Sequence, residues 1–409
     1  MGGGAEMGNV ILSFLSRDWA GLACGAVVGL LGAALVATGR PAGAGWAIGV
    51  VIAIIGGLLA IGALWHLVHV ARVRALHPPP GRLVDVGGYR VHVFAEGEVR
   101  GKPSVVWMPG GHAAGFAFHH LHRVLREETR SILIDRPGTG WSDVGPFPRT
   151  TAGEAHEVIS ALDGAGEEGP FVLVGHSFGG LLMANVARRW PARVAALVMV
   201  DATPPDTIIY GPRIPGLKQM RSGAVLNALP RLFGIHRDFA ERRQRRHAPP
   251  AYKRILDLVD ERLGEAAAAM RAVEGGTRSA CAGASIFAEL SASGLAEVAW
   301  ETVVYEGDLG DLPVLLVAPG TMTDEEFEAV AQMIDQQAGS GRAVDRERLR
   351  RFYTRSRERY MTISSRSRRV YAPAGTGHNF PYEAPEFLAD VVRSVLKPAG
   401  PGHHGGSLS

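Results

Sequence analysis

The strongest constraint on how this chain can fold is a pair of uncharged apolar runs close to its start. Neither Trp19–Gly39 nor Trp46–Val70 contains Asp, Glu, Lys or Arg, and His66 and His69 lie only near the far end of the second. Each run is long enough to cross a hydrocarbon core of about 30 Å as a helix. A helix on a water-soluble domain keeps a polar face, and two successive runs that are apolar all round leave no place for one. A cleaved signal peptide accounts for the first run but not the second. The stretch Gly39-Arg40-Pro41-Ala42-Gly43-Ala44-Gly45 breaks the pattern, so residues 19–70 are expected to form a transmembrane hairpin of spans 19–39 and 46–70. Gly21, Gly25 and Gly29 recur every four residues and give one span a flat face for close packing. Trp19, Trp46 and Trp65 fall near the expected ends, where indole rings favour the interface. Arg17, Arg72 and Arg74 flank the runs against Arg40 alone in the turn. That bias places both ends, and the large domain, in the cytoplasm.

Residues 1–18 are Gly-rich, then weakly apolar, and are expected to be a mobile end. Residues 71–81 read as a linker, stiffened by His77-Pro78-Pro79-Pro80-Gly81. Beyond it the period changes. Arg82 to Phe94 reads as two strands around Gly87-Gly88. Strand-like runs then recur between helical stretches at 104–108, 131–135, 171–174, 194–200, 313–317 and 369–372. Such alternation predicts an α/β fold: a mostly parallel sheet with helices on both faces. Residues 204 to about 301 interrupt the alternation with helical, loop-rich sequence, a natural lid. The domain is expected to span 82–397, with 398–409 a disordered tail.

Composition excludes little beyond this. The net charge of +3 does not suggest a nucleic-acid partner. Eleven Arg between 342 and 369, and the cluster Arg242-Arg243-Gln244-Arg245-Arg246, read as solvated faces, with anionic headgroups as the sharper alternative. Cys24 and Cys281 imply no disulfide framework.

Chemistry concentrates at Phe171-Val172-Leu173-Val174-Gly175-His176-Ser177-Phe178-Gly179-Gly180. An apolar strand ends in Gly-x-Ser-x-Gly and a helix-like segment follows at once, the context of a nucleophile elbow. Three further motifs stand at strand ends: Trp107-Met108-Pro109-Gly110-Gly111-His112, Asp135-Arg136-Pro137-Gly138-Thr139-Gly140-Trp141-Ser142, and Gly375-Thr376-Gly377-His378-Asn379-Phe380. In this order they resemble the α/β-hydrolase superfamily, serine-hydrolase branch, across residues 82 to about 397. Pro109 stands where the family usually has His.

The resemblance implies a Ser-acid-His triad. Ser177 is the expected nucleophile and His378 the base, since a serine hydroxyl needs a base within hydrogen-bond reach and a third group to orient it. Two acids compete. Asp201 ends the sixth strand. Asp324 follows the seventh, where Thr323-Asp324-Glu325-Glu326 also reads as a helix capping box. The preference is for Asp201, with Asp324 the alternative. Oxyanion donors are expected at the Phe178 and Gly111 N–H groups, with His112 the alternative to Gly111. His176 is expected to pack beneath the nucleophile as a shape residue. Asp135 is read as a loop organiser. His119 and His122 could share a helix face, but lack spaced acidic or Cys partners for a metal.

The expected function is a membrane-anchored serine hydrolase that cleaves an ester-like bond in a small acyl or lipid substrate, with no metal or organic cofactor. Ser177 in the nucleophile slot argues against the dehalogenase and epoxide-hydrolase branches, which carry Asp there. The alternatives are an acyltransferase on the same fold and a non-catalytic, membrane-tethered ligand-binding protein. Oligomeric state is left open.

Overall fold

In a computed structural model of the 409-residue chain, the described residues are 3–111, 113–147, 149–203, 217–235, 250–285, 304–320 and 345–396, with isolated positions between 246 and 343. The sequence-predicted tail, part of the lid and His112 lie outside them.

Among the described residues eight strands form one sheet: β1 (Arg82–Asp85), β2 (Arg90–Glu96), β3 (Ser104–Met108), β4 (Ser131–Ile134), β5 (Phe171–His176), β6 (Val194–Val200), β7 (Val314–Ala318) and β8 (Ser367–Tyr371). Their spatial order is β1-β2-β4-β3-β5-β6-β7-β8. β2 runs antiparallel to β1 and β4; the pairs from β4 through β8 are parallel. The central strands are buried on both faces, and alternate residues serve opposite layers. Phe171 and Leu173 join one core with Leu162 and Met183, whereas Val172 and Val174 join another with Leu121 and Leu388. The first core lies under α5 (Thr151–Ala165) and α6 (Phe178–Arg189). The second lies under α4 (His119–Leu125) and the C-terminal helix Pro385–Leu396. The parallel strands therefore present their C-terminal ends together, which is where such sheets place their ligands.

Three helices precede the sheet: α1 (Gly3–Leu15), α2 (Ala20–Thr38) and α3 (Ala44–Leu76). α2 and α3 are long and apolar enough to cross a membrane. They pack through glycines. A Cβ on Gly56 would lie 2.2 Å from the Gly29 nitrogen, and one on Gly25 would lie 2.6 Å from the Ala60 nitrogen. Gly21 does something else: its Cα faces the Leu232 carbonyl, 2.4 Å from where a Cβ would sit. The expected three-glycine stripe is thus divided between two partners.

Two sequence expectations need correcting. Residues up to 18, expected as a mobile end, include the helix α1, because Leu12 and Leu15 bury themselves against Ala228, Leu232 and Cys281. The linker expected over 71–81 is shorter, because α3 continues to Leu76. Ala71 to Leu76 hold no helix breaker, and the first proline after them is Pro78.

The described part of the expected lid forms α7 (Leu217–Leu232), α8 (Pro250–Leu263), α9 (Glu265–Val273) and α10 (Thr277–Ser285). α7 and α10 pack together and onto the N-terminal helices. α9 touches both α3 and the 3-10 turn Gly115–Phe118 that follows β3. Asp18, between α1 and α2, ties these parts together. Its carboxylate accepts from His66 Nε2 (3.1 Å), Arg74 (3.0 Å) and Thr277 Oγ1 (3.2 Å).

Candidate active site

The elbow is built by close backbone approach. Ser177 sits at φ 53°, ψ −123°, a strained position for a residue with a side chain. The turn leaves no room for side chains around it. A Cβ on Gly175 would lie 2.4 Å from the Gly179 carbonyl oxygen. One on Gly179 would lie 2.3 Å from the Met108 oxygen and 2.5 Å from that of Pro109. One on Gly110 would meet the Ser177 Cβ at 2.6 Å. These contacts seat the elbow directly on the turn after β3, with Gly110 against the serine. Gly111 has φ 51°, with open space where a side chain would project. Phe178 opens α6, and its N–H is one of the donors left unpaired at a helix start. The elbow is also pinned to β6: Ser177 N–H donates to the Val200 carbonyl (3.0 Å), and the Thr203 N–H donates to the Ser177 carbonyl (2.9 Å).

Asp201 follows β6 directly. Its backbone takes φ 38°, and its N–H donates to the Val317 carbonyl (2.8 Å). The carboxylate is nearly buried, and Oδ2 lies 2.6 Å from His378 Nδ1. His378 arrives from the loop after β8 and keeps 47% of its side chain exposed. A carboxylate on Nδ1 fixes the proton there in the neutral ring, so Nε2 carries the lone pair. Asp324 is elsewhere: its side chain is 92% exposed and pairs with Arg350 (3.1 Å). Thr323, Glu325 and Glu326, the rest of the expected capping box, lie outside the described residues. Among the described residues the Ser177 hydroxyl makes no hydrogen bond.

His176 lies beside His378. Its ring centroid is 4.5 Å from that of His378, and its Nε2 donates to the His378 carbonyl (2.9 Å). Burial and the neighbouring His378 push its pKa down, so it stays neutral at physiological pH. The sequence reading placed His176 as a shape residue but missed this bond, which has no local sequence signal because its partners are 202 positions apart.

Asp135 organises the loop after β4. It is fully buried and accepts from His92 Nδ1 (2.9 Å), the Gly115 N–H (2.7 Å) and the Trp141 N–H (3.0 Å). Arg278 of α10 reaches the same loop, donating to the Gly140 (2.5 Å) and Ser142 (2.8 Å) carbonyls. His122 is buried and bonded to Glu96 (3.0 Å), and His119 stacks on it.

Parallel sheet, elbow and strand-end loops define the class as an α/β hydrolase. The alpha/beta hydrolase family model matches residues 105–391, and the chain belongs to that family. Curated relatives are partial matches. An uncharacterized protein, YbdG, of Bacillus subtilis is 27% identical over 148 residues, 36% of this chain and 45% of that protein. The dihydrolipoyllysine-residue acetyltransferase component of the acetoin cleaving system of Pseudomonas putida is 32% identical over 195 residues, 47% of this chain and 51% of that one. The chain thus spans about half the length of these curated relatives. Among solved structures, a variant epoxide hydrolase from Bacillus megaterium aligns with a TM-score of 0.50 at 14% identity, over 77% of this chain and 99% of that one, a likeness of fold.

Proposed function

We propose that this chain is a membrane-anchored serine hydrolase that cleaves an ester-like bond in an acyl or lipid substrate. The observation that carries the reading is the 2.6 Å contact between His378 Nδ1 and the buried Asp201, beside a serine held at φ 53°. In this reading Ser177 Oγ attacks the carbonyl carbon, and its proton passes to His378 Nε2. Asp201 stabilises the imidazolium. The Phe178 and Gly111 N–H groups bind the oxyanion, the latter because its turn abuts Ser177; His112 lies outside the described residues. Collapse expels the alcohol, which takes the proton from His378. Water then loses a proton to His378 and attacks the acyl-enzyme, and breakdown of the second tetrahedral intermediate frees the acid and Ser177.

The anchor is the hairpin α2–α3, with both ends on the cytoplasmic side from the Arg17, Arg72, Arg74 bias. A fluorophosphonate probe tests the chemistry: labelling of the wild-type chain that is lost in Ser177→Ala is expected, and a folded wild-type chain that does not label overturns the reading. Product analysis with an added alcohol acceptor separates hydrolysis from acyl transfer. A reporter fused after Ser409 tests topology, and a signal from the opposite side overturns the cytoplasmic assignment.

A further inference from the structure

The N-terminal helix α1 has two apolar faces, and the described residues cover only one. Leu12 and Leu15 are buried against Ala20 of α2, Ala228 and Leu232 of α7, and Cys281 of α10. On the other side Met7, Val10, Ile11 and Phe14 are exposed, at 62%, 63%, 44% and 36%. Their spacing is i, i+3, i+4, i+7, which confines them to an arc of about 100° on a 3.6-residue helix. An apolar stripe of this kind turned to water gains nothing for a soluble surface.

Three observations identify what covers it. The stripe is continuous with the hairpin: the Phe14 ring meets Trp19 edge-on at 5.7 Å, and Trp19, 54% exposed, is the residue from which α2 starts. The outward residues of α2 and α3, such as Val27, Leu30, Leu58 and Ile61, are likewise apolar and exposed. The corner between α1 and α2 is polar and basic where a headgroup layer would lie. Arg17 is exposed with no ion pair among the described residues, and a cavity of about 690 Å³ opens beside it, lined in part by Asp18, Trp19, Arg74 and Tyr89. The apolar stripe, the Trp at its end and the Arg just beyond it match the composition expected where a chain meets a membrane interface.

We infer that α1 is an in-plane interfacial helix whose Met7–Val10–Ile11–Phe14 face sits in the lipid bilayer while its Leu12–Leu15 face carries the lid. This rests on the membrane-anchored reading and adds a third membrane contact to it. The consequence is that α7 and α10 are seated on an element immersed in the lipid surface.

Depth-resolved quenching tests it on the full chain, with Cys24→Ala and Cys281→Ala as background. An environment-sensitive dye is placed at single cysteines replacing Val10, Val27, Leu58 or Val99, and each protein is reconstituted into phosphatidylcholine–phosphatidylglycerol vesicles. The quenchers are lipids with a shallow or a deep acyl-chain nitroxide, and aqueous iodide. The expected result is several-fold stronger quenching of the Val10 dye by the shallow nitroxide than by the deep one or by iodide. Val27 and Leu58 dyes should respond to the lipid nitroxides, and the Val99 dye, on a domain loop, to iodide alone. A Val10 dye that follows Val99 overturns the inference. So does one silent to all three quenchers, which marks a protein contact such as a second copy. If Val27 and Leu58 dyes also follow iodide, the anchored reading itself has failed.

Discussion

The elbow and the hairpin use glycine for the same steric purpose and to different ends. In the elbow, Gly110, Gly175 and Gly179 let three backbone segments close around Ser177, and the turn that results holds a strained φ. In the hairpin, Gly25, Gly29 and Gly56 let two regular helices touch, with no strain at any of them. The first arrangement fixes the direction of the Ser177 side chain and tolerates almost no displacement. The second only sets a distance between two regular helices. Close packing is therefore a statement about chemistry only where it also forces a residue out of its ordinary conformation.

The comparison can be broken experimentally. The largest expected effect is at the elbow: Ser177→Ala should reduce turnover by on the order of 10⁴-fold or more, read as loss of probe labelling and ester cleavage. Next, Asp201→Asn should cost on the order of 10³–10⁴-fold in kcat, whereas Asp324→Asn should leave kcat within about twofold, as befits an exposed ion pair. Equal effects of the two would remove Asp201 from its role. Gly179→Ala should destabilise the domain by about 3 kcal/mol in denaturant titration, since the clash is with backbone at β3 that cannot swing away. Gly25→Leu should prise α2 from α3, seen as loss of an engineered α2–α3 cysteine cross-link, yet change the rate of Ser177 labelling by less than about threefold. A large loss of labelling there would mean that the two regions are not separable.

The smallest effect is graded with pH. His120 and His122 have their pKa values pushed down to about 4 by burial, and His176 is lowered as well. Folded-state values below the unfolded value of about 6.5 mean that the unfolded chain binds more protons between the two. Stability from these groups is present above about pH 6.5 and is lost progressively as pH falls towards 4. A denaturation midpoint that rose on acidification over this window would contradict it.

What could be read from sequence followed the same division. The fold was legible because strand periodicity and the strand-end motifs are local: β3 and β6 lie at 104–108 and 194–200, as expected. Ser177 and His378 were nominated by the short turns that carry them. The choice between Asp201 and Asp324 was not legible, since it depends on which strand end lies beside a loop 177 residues away. Gly21 was read with Gly25 and Gly29 on spacing alone, but its partner is Leu232, in a segment with no recognisable pattern. Asp18 drew no attention because its partners, His66, Arg74 and Thr277, belong to two other elements. A lone carboxylate at the head of an apolar run, with a histidine late in the next, was the available clue.

One feature of α3 bears on how the α/β-hydrolase domain is oriented. The helix is unbroken for 33 residues, about 50 Å, and contacts α2, α7 and α9 along the way before reaching a five-residue connection at 77–81. A rigid rod of this kind transmits angular phase. One residue inserted near Ala71 would turn everything beyond it by about 100° and lift it about 1.5 Å, while four would restore the facing to within about 40°. The bearing of the domain relative to the hairpin is thus encoded in the residue count of α3, modulo the helical repeat.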